Sequence, residues 1–166
     1  MELKEIINEM LDAIDEEDIK KVTQAVNKHE NLIMVQTPFG TLLHYASSEG
    51  KLEMVKHLIA LGSDVNRHGG TFDSGAINYA ASEGHIEIVK YLLSVGAELD
   101  VSEPQRNPLF AAIHKGHVEI AKLLIRSGID TTVSYTGETM KDMNALAFAK
   151  EWGQMEIAAL LEGSSK

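Results

Sequence analysis

The sequence predicts an all-α solenoid of about five helix-turn-helix repeats, with the first and last repeats serving as caps. Three recurrences carry that expectation. A turn glycine appears at Gly50, Gly84, Gly116 and Gly153. A stop glycine appears at Gly62, Gly96 and Gly128, with Gly163 as a worn last copy. A small residue opens the first turn of each unit at Ala46, Ala80, Ala112 and Ala149. The unit is plainest in residues 41–66: a short helix, a glycine turn, a second helix, a glycine stop and a polar exit.

The units follow one another in order. Residues 1–34 are a degenerate first repeat. Leu3, Ile6, Ile7, Met10, Leu11 and Ile14 place an apolar stripe on one side of a helix. The acidic run 15–18 breaks the stripe and reads as a solvated turn, after which Ile19, Val22, Ala25 and Val26 begin a second stripe. Ala13 aligns with Ala46, Ile19 with Leu52, Val22 with Val55 and Val26 with Ile59, and the outer face is polar, as a terminal repeat requires. Residues 37–70 form the second repeat, with Leu43, Ala46, Leu52, Val55, Leu58 and Ile59 as its core face. There Gly50 permits the tight reversal and Gly62 the left-handed helix stop.

Residues 71–102 repeat that core with Ile77, Ala80, Ile86, Val89, Leu92 and Leu93. Residues 103–133 repeat it with Leu109, Ala112, Val118, Ala121, Leu124 and Ile125. Asn107-Pro108 starts the first helix there, where the missing proline donor costs nothing. Residues 134–163 are the last repeat, with Leu146, Ala149, Met155, Ala158 and Leu161 as core. A long connector over 135–143 precedes it and a frayed polar end over 162–166 follows. Gly69-Gly70 reads as a flexible connector.

Composition narrows the function classes. There is no cysteine, which excludes disulfides and thiolate chemistry and suits a reducing cytoplasm, the expected location. The acidic, amphipathic start does not resemble a signal peptide, and no stretch reaches the ~20 apolar residues of a membrane span. The formal charge is −10, from 25 acidic and 15 basic residues. Nine acids and four bases fall in residues 1–34. That field repels phosphate backbones, so no nucleic-acid partner is expected, and it attracts a basic protein.

The period, the two antiparallel helices and the motif Thr41-Leu42-Leu43-His44-Tyr45-Ala46 resemble the ankyrin repeat. Gly84-His85-Ile86-Glu87-Ile88-Val89-Lys90-Tyr91-Leu92-Leu93 and Gly116-His117-Val118-Glu119-Ile120-Ala121-Lys122-Leu123-Leu124 follow the same pattern nearly residue by residue. Three further starts are more worn: Gly75-Ala76-Ile77-Asn78, Asn107-Pro108-Leu109-Phe110 and Asn144-Ala145-Leu146-Ala147. The closing stretch from Gly137-Glu138-Thr139-Met140 to Phe148-Ala149 is similar to the last repeat of small stand-alone bacterial ankyrin proteins, several of which serve as immunity proteins to toxins.

No catalytic constellation accompanies these motifs. There is no phosphate-cradling loop, nucleophile elbow, paired zinc histidine or calcium loop, so no enzyme activity, cofactor or metal is expected. The resemblance gives His44, His85 and His117 structural roles. His114 and His117 are separated by Gly116, which breaks the helix a metal pair would need. Glu49 and Glu83 occupy one slot in successive copies and do not differ as an acid and base pair must.

By the resemblance, partner-binding residues lie on the loop tips and just before each turn glycine, lining a concave side. The tips are residues 37–40, 71–74, 103–106 and 136–143. The candidates are Tyr45, Ser48, Glu49, Asp73, Tyr79, Ser82, Glu83, Arg106, His114, Lys115, Met140, Phe148, Glu151 and Trp152. Trp152, the single tryptophan, falls in a slot expected to face solvent. It reads as a partner anchor or as a ring folded over the end of the last repeat. Tyr45 and Tyr79 beside Glu49 and Glu83 suit a basic epitope, or are half-buried against adjacent helices. The connector with Tyr135, Met140 and Met143 either reaches a partner or folds back as a lid.

The expected function is therefore protein binding. The resemblance implies an immunity protein that occludes a toxin, such as a basic nuclease, through the concave face. A scaffold or regulatory adaptor between cellular proteins is the second reading. A monomer is favoured in the unbound state.

Overall fold

The computed structural model describes residues 2–164. Ten α-helices pair in sequence among them: α1 (Leu3–Asp15) with α2 (Ile19–Lys28), α3 (Leu42–Ser48) with α4 (Leu52–Ala60), α5 (Ala76–Glu83) with α6 (Ile86–Ser94), α7 (Pro108–Lys115) with α8 (Val118–Arg126), and α9 (Ala145–Glu151) with α10 (Met155–Ser164). A 3₁₀ turn, Glu30–Met34, follows α2 and buries Leu32. The first helices of successive pairs pack side by side. The second helices α4, α6, α8 and α10 do the same, giving two layers with a continuous core between them. No strand forms among the described residues. The loop tips are closed by isolated bridges, Thr37 with Gly40, Gly69 with Ser74 and Tyr135 with Met143.

One contact recurs at every joint. The residue after each turn glycine reaches back to the preceding unit. His85 Nε2 lies 2.8 Å from the Ser48 carbonyl, and His117 Nε2 lies 2.9 Å from the Ser82 carbonyl. The two rings cover Gly50 and Gly84, where a Cβ would come within 2.6 and 2.7 Å of them. At the first joint Lys51 occupies the histidine's slot, and its Nζ donates to the Asp15 carbonyl at 2.8 Å. At the last, Gln154 packs over Gly116. The acidic run 15–18 is thus a joint as well as a turn. The Asp15 carboxylate accepts from the Tyr45 hydroxyl, and the Asp18 side chain caps α2. Burial and the Asp15 charge push the Tyr45 hydroxyl up to about 12.

A second set of ties runs along the helix starts. Thr41 and His44 form a reciprocal capping box, with Thr41 N–H donating to His44 Nδ1 at 3.0 Å. The other nitrogen, Nε2, then carries the proton and donates to the Ser74 carbonyl at 2.9 Å. Asn78 fills the same slot one unit on and donates from Nδ2 to the Gln105 carbonyl at 2.9 Å. Asn107 caps α7 ahead of Pro108, and its Nδ2 donates to the Tyr135 hydroxyl.

The structure corrects several sequence expectations. Met155 is 61% exposed, and Ile157 takes its place in the core. Met155 sits in the slot of Leu52, Ile86 and Val118, which neighbouring units half-cover. Among the described residues no further helix pair packs beyond α10 to cover it. Met54, Ile88, Ile120 and Ile157 share one slot and are all buried, although the repeat alignment passes over them. α4, α6, α8 and α10 each pack on their own first helix and also on a neighbouring second helix, so each buries a wider arc than an isolated pair would.

Gly163 is not a stop. It lacks a left-handed conformation, and α10 runs through it to Ser164, whose hydroxyl donates to the Leu161 carbonyl. The end predicted to fray is therefore helical over 162–164, while residues 165 and 166 lie outside the described part. Gly69-Gly70 is a tight corner rather than a flexible link. A Cβ on Gly69 would collide with the Gln36 amide, and one on Gly70, at φ +73°, with the Tyr79 hydroxyl.

Two predictions follow from this packing. Gly96→Ala, at φ +94° with open space around it, is expected to cost only the strain of a left-handed alanine, about 1–2 kcal/mol. Gly70→Ala should cost about 1 kcal/mol more, because Tyr79 must swing out and give up its 2.9 Å bond to the Gly69 carbonyl. Urea denaturation of both variants checks the order.

The second concerns His44, which is fully buried; that burial holds its ring below the ordinary histidine value. The native ring therefore binds a proton less readily than the unfolded one. Stability is complete above about pH 6.5, the unfolded value, and declines below it. Stability is therefore expected to fall as the pH is lowered from 7 to 5.5. His44→Asn, which copies the neighbouring unit, should flatten that slope in denaturation midpoints measured across the range.

Candidate functional site

The first helices and loop tips form a groove of about 480 Å³ that runs from α3 to α9. Its floor at the α7–α9 end is aromatic. Phe148 stacks on Phe110 with centroids 4.5 Å apart and planes 11° apart, and Phe110 meets Tyr135 edge-on at 5.1 Å. Trp152 closes this end. Its ring lies 5.9 Å from Phe148 and packs edge-to-face on His114 at 4.2 Å. Phe148 is 7% exposed and Trp152 is 48% exposed, so one is floor and the other wall.

The connector 135–143 is a closed loop. Tyr135 and Met143 exchange two backbone bonds, and Asp142 N–H donates to the Thr136 hydroxyl. The Tyr135 hydroxyl donates to the Val101 carbonyl at 2.7 Å, and burial raises its titration point. The loop folds back against the third unit and sets half-buried Met140 at the groove edge.

The other end is polar. Ser48, Ser82 and Glu83 line it beside Tyr79. The Ser48 and Ser82 carbonyls are engaged by the joint histidines. Phe72, 51% exposed, stands 6.2 Å from the Tyr79 ring at the rim. Beneath lies Asn78, 4% exposed. Both its Nδ2 protons are donated, to Ser74 Oγ and the Gln105 carbonyl, while Oδ1 has no partner.

Of the residues singled out in the sequence, the groove gathers Ser48, Tyr79, Ser82, Glu83, His114, Met140, Phe148 and Trp152. The others lie outside it. Tyr45 is spent on Asp15, and its ring sits 5.8 Å from Phe39. Asp73 and Arg106 pair with each other across adjacent tips. Glu49, Lys115 and Glu151 are exposed beyond the groove wall.

The repeat alignment did not single out Phe39, Phe72, Asn78 or Phe110. The two exposed phenylalanines carry a readable signal, a large apolar residue in each of the first two predicted tips. Asn78 and Phe110 carry none, because they share the His44 slot and look like scaffold. No group of three or more histidine, aspartate or glutamate side chains suited to a metal forms among the described residues. No described helix is long and apolar enough to cross a membrane.

A slab of stacked helix pairs with an aromatic groove on its first-helix face is the architecture of a repeat-built interaction module. The chain belongs to the ankyrin-repeat family: a model of ankyrin repeats matches three times, over residues 10–103, 43–135 and 77–165. Ankyrin repeats imply a protein–protein interaction module. No curated protein matches the chain.

The floor and the wall should separate in mutagenesis. Phe148→Ala is expected to lower stability by about 3–4 kcal/mol, because it empties a stacked, buried site. Trp152→Ala should cost only about 1 kcal/mol, because half its surface is already in water. Thermal and urea unfolding of the two variants, compared with the parent, test this division.

Proposed function

We propose that this protein is an immunity protein. It binds a cognate toxin through the first-helix groove and occludes the toxin's active site or substrate groove, one to one, in the cytoplasm and without a cofactor. The observation that carries the binding half of this reading is Trp152. It is the single tryptophan, it is half-exposed, and it stands on a buried aromatic floor that can seat a partner's side chain. Aromatic residues on such floors dominate the energetics of protein interfaces.

The immunity half is supported by the likeness of residues 137–149 to the last repeat of stand-alone bacterial immunity proteins. The net charge of −10 supports it further, since it speeds association with a basic toxin such as a nuclease. A scaffold or adaptor would use the same groove but gives no account of that closing stretch.

The test uses the neighbouring open reading frame. Its product is expected to arrest growth when expressed alone and to be harmless when co-expressed with this chain. The purified pair should form a one-to-one complex by light scattering. Trp152→Ala should weaken that complex at least about tenfold. A neighbour harmless by itself, or lethal with or without this chain, overturns the immunity role. A complex indifferent to Trp152→Ala removes the interface from the groove.

A further inference from the structure

We propose that the groove is two-poled. It takes a partner segment that lays an apolar side chain at the Trp152 end and an arginine or lysine at the Glu83 end. This rests on the groove being the docking surface and adds the chemistry of what docks there.

The acids of the two layers are treated differently. On the second helices Glu53, Glu87 and Glu119 each hold a lysine three residues on, at 2.8, 2.7 and 2.7 Å. Glu83 lines the groove, is exposed, and has no cation within ion-pair distance among the described residues. Asn78 makes an independent observation at the same end. It is a buried amide in the groove lining with both protons used and its oxygen unpartnered. Glu83, the last residue of α5, is an exposed acceptor, and the Asn78 oxygen in the first turn of the same helix is a second acceptor left unpaired among the described residues. A guanidinium or ammonium brings only donors.

The opposite end offers Phe110, Phe148 and Trp152, and among the described residues the one ionisable side chain lining that end is His114, packed on the Trp152 ring. A charge placed there loses water without gaining a counter-charge, so an apolar anchor is favoured.

The spacing of the two anchors follows from the repeat. Glu83 and Trp152 occupy one slot in units two apart, and packed helices lie 8–10 Å apart, which separates the poles by roughly 16–20 Å. An extended segment rises ~3.3 Å per residue, so its basic and apolar side chains stand about five or six residues apart.

The experiment is selection of random dodecapeptides displayed on phage against the purified full chain. Recovered peptides are resynthesised and titrated by Trp152 fluorescence, or by anisotropy of a labelled peptide for the Trp152 variant. The expected peptides carry arginine or lysine five or six residues from a large apolar residue. They should bind about tenfold more weakly to Glu83→Lys and to Trp152→Ala, and more weakly to the parent as salt rises. Circular dichroism and melting confirm that Glu83→Lys, a change at an exposed position, stays folded.

Peptides that need Trp152 but lack a basic residue, or that ignore Glu83→Lys, overturn the two-poled groove and leave the docking surface standing. Peptides indifferent to Trp152→Ala, or recovery of none, overturn both.

Discussion

The structure depends on one reach-back contact repeated at each joint. A side chain just after a turn covers the previous turn and, at three joints, holds the carbonyl two residues before it: Lys51 on Asp15, His85 on Ser48 and His117 on Ser82. A helix pair of this size cannot bury its apolar face alone, so stability resides in the interfaces between pairs. The contact fixes how far one pair rotates on the next, and that rotation sets the line of the first helices. The close approach it demands is why Gly50 and Gly84 carry no side chain, since either Cβ would meet the ring above it. The first joint shows what the contact requires. Glu17 takes the positive φ of a turn glycine, and a lysine replaces the histidine, yet the bond to the carbonyl is kept.

A second line of bonds runs through the helix starts and uses buried polar groups. His44 is satisfied on both nitrogens. Asn78 spends both protons and leaves its oxygen without a donor. An unsatisfied buried acceptor has a free-energy cost that the surrounding packing must exceed. Here the cost falls in a residue that lines the groove. The same slot is thus closed at His44 and left incomplete at Asn78.

The charge distribution divides along the same layers. Glu53, Glu87 and Glu119 of the second helices are each paired with a lysine one turn on, a local and weakly stabilising arrangement. The groove keeps a glutamate without a cation, beside aromatic rings held rigid by stacking. Rings held rigid by stacking lose little entropy on binding, which favours recognition.

How far all this could be read in the sequence depends on the range of the interaction concerned. The repeat, the helix pairing and the turn glycines are local and periodic, and Gly50, Gly84, Gly116 and Gly153 alone disclose them. Groove residues before the turns, such as Glu83 and Trp152, could also be placed by register, because position within a unit decides which layer a residue faces. Other features are set between units, where the alignment of copies is silent. The slot of Met54, Ile88, Ile120 and Ile157 is buried only because second helices pack on one another. Met155 and Gly163 follow the repeat in letter but not in structure, since α10 has no described neighbour to cover one or to require a stop at the other. Phe148 looked like surface and became floor once Phe110 was stacked on it. By itself the sequence determined the unit, its period and its faces, which are written in contacts within about 30 residues. The tertiary structure decided which side chains those faces leave free, because that depends on how each unit packs on its neighbours.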